Sequence, residues 1–128
     1  MPRLSADVRH TVRLEVNGRA HEGEAEPRML LTDFLRHRLG LTGTHVGCEH
    51  GVCGACTIQI DGAPARACLT LAVQADGASV CTVEGLNPES GRLSILQEAY
   101  RRYRASAAEC GLLNNISEPV FFNPAVTV

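Results

Sequence analysis

The chain has 128 residues, is 45% apolar and carries a formal net charge of −2. That length and apolar content suit one domain with a real core, or two very small ones. The near-neutral charge, the lack of tryptophan and an aromatic content of 4% leave no electrostatic or stacking case for nucleic acid or a membrane surface. Residues 1–10 read as a flexible arm. Met1 to Arg13 is polar and charged, without the apolar stretch of a secretory leader. The longest apolar runs are too short to cross a bilayer. The expectation is a cytoplasmic protein, in a compartment where cysteines hold metal rather than pair with one another.

Val12, Leu14 and Val16 alternate with Arg13 and Glu15, which predicts a half-buried strand. Asn17-Gly18 is a tight hairpin turn pair, and the return strand runs from about Arg19 to Ala25. Pro27 is expected to open a helix with Leu30, Leu31, Phe34, Leu35 and Leu39 on its apolar side, ended by Gly40. Cys56 to Ile60 alternates again, and Asp61-Gly62 is a second turn signal. Ala67 to Ala75 predicts a short helix or irregular turn, and Ser79–Val83 a last strand. Residues 11–84 thus read as one α+β domain of roll-like type, an order that suits a β-grasp plant-type ferredoxin fold. Residues 85–92, with Gly85, Pro88 and Gly91, read as a linker. Residues 93–128 read as a partial helical domain with a divergent tail, its stripe formed by Leu96, Ala99, Tyr100, Tyr103 and Ala107.

Between the helix and the third strand lies the run Gly47-Cys48-Glu49-His50-Gly51-Val52-Cys53-Gly54-Ala55-Cys56, and Cys68 follows after eleven intervening residues. The pattern C-x4-C-x2-C with a later fourth cysteine is the plant-type ligand spacing of a [2Fe–2S] cluster. A loop wrapping such a cluster has little room for side chains. Gly47, Gly51 and Gly54, with Ala55, supply the small residues, and their backbone N–H groups are expected to point inward at the sulfurs. Other readings stand beside this one. Zinc accepts Cys53 and Cys56, with Cys48, His50 or Cys68 completing a tetrahedron, although zinc ribbons usually use two Cys-x-x-Cys knuckles. A thioredoxin-like dithiol at Cys53–Cys56 leaves Cys48 and Cys68 unused. A disulfide framework is at odds with the missing secretory signal.

Cys81 reads as a small buried hydrophobe in a strand. His37, His45 and His50 read as surface groups near the loop. Arg36 and Arg38 read as a solvated helix face or a docking patch. No nucleophile–base pair is present, so no catalytic residue is assigned.

Longer pieces of the sequence resemble a known family. They are Val16-Asn17-Gly18, Leu30-Leu31-Thr32-Asp33-Phe34-Leu35-Arg36, Leu39-Gly40-Leu41-Thr42-Gly43-Thr44, the loop Gly47–Thr57, Ala67-Cys68-Leu69, Thr82-Val83-Glu84-Gly85-Leu86 and Cys110-Gly111. In this order they resemble the small iron–sulfur subunit of the molybdenum hydroxylases, the xanthine oxidase and aerobic carbon monoxide dehydrogenase group. The resemblance implies two partners, a molybdopterin-binding large subunit that hydroxylates substrate and an FAD-binding medium subunit that receives the electrons. It implies that Cys48, Cys53, Cys56 and Cys68 hold the cluster nearer the flavin, and that molybdopterin and FAD belong to the partner subunits only.

The resemblance also implies a second [2Fe–2S] cluster on a Cys-Gly-x-Cys pair and a later Cys-x-Cys pair. Cys110-Gly111-Leu112 starts that motif, but Leu113 stands at the next cysteine and Asn114-Asn115-Ile116 replaces Thr-Pro-Gly. Glu109 replaces the glutamine expected next to the pterin. The expectation is one cluster, with the second not supported. The function expected is an electron-transfer subunit, non-catalytic by itself. The alternative is an independent one-cluster ferredoxin-like carrier, and a zinc-stabilised module is a third reading. The predicted helix Leu93–Ala108 favours the first, because a free carrier has no use for an added apolar face.

Overall fold

The computed structural model describes residues 3–86, 92–95 and 97–99. The expected Cys110 motif and the stripe residues Leu96, Tyr100, Tyr103 and Ala107 lie outside them.

Strand β1 (His10–Val16) buries Val12, Leu14 and Val16 and exposes the residues between them, as alternation at period two requires. It pairs antiparallel with β2 (Arg19–Ala25), Val16 opposite Arg19. The turn holds Asn17 at φ 53° and Gly18 at φ 78°, the two left-handed positions of a tight hairpin turn. Strand β3 (Thr57–Ile60) turns at Asp61-Gly62, also at positive φ, into β4 (Ala63–Arg66). The sequence reading missed β4. It lies at the edge of the sheet, where Pro64 is tolerated because its side need not donate to a ladder. Strand β5 (Ser79–Cys81) enters between β1 and β3, parallel to β1 and antiparallel to β3. The resulting order, β2-β1-β5-β3-β4, is a mixed five-stranded sheet of β-grasp type. β5 ends at Cys81 rather than Val83 because Val83–Leu86 closes into a 3₁₀ turn. Gly85 and Leu86, expected in the linker, belong to that turn.

The helix starts later than Pro27 suggests. Met29 closes a turn on Glu26, and Leu30 is extended and bridges Leu71. Leu31 donates to Thr70 at 2.8 Å and Ala72 donates to Met29 at 2.8 Å, so tertiary pairing takes the backbone groups a first helical turn would have used. Helix α1 (Leu31–Asp33) runs on into a π-helical turn, Phe34–Arg38, where Leu39 donates to Phe34 at 3.1 Å. Gly40, at φ 71°, ends it, and Leu41 returns to the Leu35 carbonyl at 2.8 Å. This helix packs Leu31, Phe34 and Leu35 onto Val12, Val16, Ile58 and Val80. Phe34 lies directly on Gly23, where a Cβ would approach its ring to 2.9 Å. The core therefore sits between one sheet face and the helix, with the 3₁₀ turns Ala67–Leu69 and Ala72–Ala75 closing its end.

Candidate metal centre

The cysteine loop leaves the helix end at Leu41 and returns to the sheet at Thr57. Its neck is closed by His45 N–H donating to Ala55 O at 3.3 Å. Thr57 tightens the return, its N–H and its hydroxyl both donating to Gly54 O, at 3.1 and 2.6 Å. Cys68 comes from elsewhere, in the 3₁₀ turn after β4, where Ala67 N–H donates to Cys56 O at 3.1 Å. That bond brings the fourth cysteine to the third.

The four thiols gather as two adjacent pairs. Cys48 and Cys53, half-buried, are close enough to influence each other's titration. Cys56 and Cys68 are buried and likewise adjacent, with Cys53 close enough to Cys56 to act on it electrostatically. Amides of Val52 and Cys53 donate to Cys48 Sγ at 3.3 and 3.4 Å, and Ala55 N–H donates to Cys53 Sγ at 3.5 Å. The Cys53 amide foremost, with those of His50 and Val52, pulls Cys48 down to about 6, because such donors favour the thiolate. Burial pushes Cys56 up to about 11; the Cys68 amide works against it, while the Cys68 and Cys53 thiols add to it. The site thus favours the thiolate at its rim and the protonated thiol at its floor, whose proton a metal would have to displace.

The glycines make this shape possible. Gly51 and Gly54 stand at φ 85° and 75°, and Glu49 shares the left-handed region at 56°. A Cβ on Gly47 would lie 2.8 Å from Cys53 Sγ. The amides of Val52 and Ala55, each one residue beyond a glycine, are among those that face a sulfur, with that of Cys53 beside them.

Two adjacent thiol pairs, amide donors on the outer pair and a wall too close for side chains are the features an all-sulfur, two-iron group requires. The residues present therefore fit a [2Fe–2S] cluster. Among the described residues, no three His, Cys, Asp or Glu side chains converge as ligands of one metal ion. His50 faces solvent, its ring nitrogen 2.5 Å from Cys48 O. Cys81 is half-buried in β5, its Sγ 3.7 Å from Thr82 O, and burial raises its pKa.

Three residues near the loop hold places the sequence did not suggest. Arg36 is half-buried, and its Nη1 donates to Thr42 O at 2.6 Å and Thr44 O at 2.9 Å. His45 is half-buried rather than a surface group; burial first, and Arg36 second, lower its pKa. Glu84 accepts from Gly43 N–H at 2.6 Å and from the Thr82 hydroxyl at 2.6 Å. A pairing of residues so far apart in sequence leaves no local periodicity to detect.

Residues 14–83 match the 2Fe-2S iron-sulfur cluster binding domain family. The chain is 58% identical over 102 residues to caffeine dehydrogenase subunit gamma of Pseudomonas sp. (strain CBB1), covering 80% of this chain and 59% of that protein. It is 48% identical over 126 residues to the nicotine 6-hydroxylase small subunit of Paenarthrobacter nicotinovorans, covering 96% of this chain and 75% of that one. Among solved structures, quinoline 2-oxidoreductase from Pseudomonas putida 86 superposes with a TM-score of 0.72 at 45% identity, over 84% of this chain and 72% of that chain. Fold and loop together define a ferredoxin-like iron–sulfur domain. The chain belongs to the 2Fe-2S iron-sulfur cluster binding domain family, among the small iron–sulfur subunits of the molybdenum hydroxylases.

Proposed function

We propose that this chain is the electron-transfer subunit of a molybdenum hydroxylase complex, with one [2Fe–2S] cluster held by Cys48, Cys53, Cys56 and Cys68. The observation that carries the reading is the gathering of these four thiols into two neighbouring pairs, with amides aimed at the outer sulfurs. When bound, such a cluster supplies one-electron redox chemistry. The chain's own residues do the rest. Cys56 and Cys68 would hold the group from the buried floor, and Cys48 and Cys53 from the half-buried rim. Val52, Cys53 and Ala55 place N–H dipoles against the thiolate charge, which favours the reduced, more negative state. Gly47, Gly51 and Gly54 leave the wall bare.

The partners in this reading are a molybdopterin-binding large subunit, the electron source, and an FAD-binding medium subunit, the acceptor. Relatives bearing subunit names support them. The chain spans 59% of the length of the first of these relatives.

The test mixes the anaerobically purified chain with flavin and molybdopterin subunits of one complex and adds that complex's substrate. The expected result is co-elution of all three and bleaching of the visible cluster bands on substrate addition. A colourless chain that holds zinc would sink the reading. A coloured chain that never joins the subunits would replace it with the independent carrier.

A further inference from the structure

Residues 42–44, the approach to the cysteine loop, are gripped from two sides. From the helix, Arg36 Nη1 donates to the carbonyls of Thr42 and Thr44, at 2.6 and 2.9 Å. From the turn after β5, Glu84 Oε1 accepts the amide hydrogen of Gly43 at 2.6 Å. Carbonyl, amide and carbonyl of three consecutive residues are thus met in turn by a cation and an anion, much as a neighbouring strand would meet them. The next residue, His45, closes the neck on Ala55.

The grip is built into the packing on both sides. A Cβ on Gly43 would come within 2.5 Å of Glu84 Oε1 and 2.6 Å of Val83 Cγ1, so the carboxylate occupies space only glycine leaves free. Glu84 is fixed in its turn by the Thr82 hydroxyl, and Thr82 by Asn17, whose side chain takes Thr82 N–H at 2.9 Å and donates to Thr82 Oγ1 at 2.9 Å. The anionic half of the grip is therefore anchored on the β1–β2 turn and the cationic half on the helix.

We propose that Arg36 and Glu84 are positioning residues for the metal loop, holding residues 42–44 so that Cys48 and Cys53 stand ready to receive and retain the cluster. This rests on the reading of Cys48, Cys53, Cys56 and Cys68 as its ligands. Neither side chain touches a ligand sulfur. They act through the neck, and an unclamped neck lets Cys48 swing away from Cys53 without unfolding the sheet.

The test uses the full chain and its Arg36→Ala, Arg36→Lys, Glu84→Ala, Glu84→Gln and Gly43→Ala variants, each made anaerobically with iron and sulfide. Two quantities are read: the rate at which visible absorbance is lost to an iron chelator, and the melting midpoint of the metal-free chain by circular dichroism. Losing one charge-assisted hydrogen bond to the neck predicts cluster release about tenfold faster in E84A, and R36A, which loses two, should release at least as fast. G43A, which evicts the carboxylate without altering it, should match E84A. E84Q keeps an oxygen for the Gly43 amide but not the charge, and should release faster than wild type and slower than E84A. R36K keeps the charge but not the two-carbonyl reach, and should fall between.

Wild-type release rates in R36A, E84A and G43A overturn the clamp while leaving the ligand assignment intact. Faster release that tracks the metal-free melting midpoint across all five variants also overturns it, since that is general support of the fold. A wild-type chain that takes up no iron overturns the ligand assignment, and the clamp with it.

Discussion

Leu69 lies across Gly51: a Cβ added to residue 51 would come within 2.7 Å of Leu69 Cδ1. The two belong to different arms of the centre, Gly51 to the long loop and Leu69 to the turn that carries Cys68. Leu69 is 60% exposed and has room to move, so the contact alone is soft. The firmer constraint is the φ of 85° at residue 51, which a side chain resists.

Gly51→Ala is therefore expected to destabilise the metal-free chain by about 1–2 kcal/mol and to displace the Val52 and Cys53 amides from Cys48. Urea titration and iron content after reconstitution check it. Full iron content with unchanged stability would show that the loop tolerates another shape.

Cys53→Ser should abolish stable iron binding, while Cys81→Ser should leave about two iron per chain. Cys81 is half-buried with only a long contact to Thr82 O, so its replacement should cost no more than about 1 kcal/mol. Iron and sulfide assays on both variants decide the matter. Equal loss in both would reassign the ligands.

In the metal-free chain Cys48 should alkylate fastest among the described cysteines at neutral pH. Its amide donors hold it down to about 6, whereas burial pushes Cys56 up to about 11. Only the thiolate attacks, so Cys48 labelling by iodoacetamide should rise through about pH 6 and then level off. Peptide mapping across pH measures this. A Cys48 rate still climbing steeply above pH 8, like an ordinary thiol, would contradict the assigned donors.

The expected iron site was visible in the sequence because its signal is local. Cys48, Cys53 and Cys56 sit within one loop, and Asn17-Gly18 and Asp61-Gly62 announce their turns through two adjacent residues. The alternation of Val12, Leu14 and Val16 likewise needs no distant information. What escaped depended on pairing at a distance. Leu30 has a helical neighbourhood but is held extended by Leu71. Arg36 has the look of a solvated helix residue until the chain turns back and presents two carbonyls to it. Glu84 sat at the border of an expected linker, and Gly43, forty-one residues away, gave no hint of its partner.

Acid should weaken the metal-free fold through His45. Burial and the adjacent Arg36 hold its folded pKa below the usual 6.5. The unfolded chain then takes up a proton that the fold resists. The His45 contribution is intact above about pH 6.5 and is lost as pH falls through the folded value. Chemical denaturation at several pH values, compared with His45→Gln, tests the sign. The variant should show a flatter decline on the acid side, and an identical decline would place the titration elsewhere.

The placement of β5 between β1 and β3 has a consequence for biosynthesis. β1 ends at Val16, but its inner neighbour does not exist until Ser79–Cys81 has been made. All four cysteines proposed as ligands leave the ribosome before that strand does. Contacts spanning so much chain close slowly, so a nascent chain passes through a stage with its thiols exposed and the centre of its sheet missing. Iron delivered at that stage meets a loop whose walls are not yet standing, and orderly loading has to wait for the last strand.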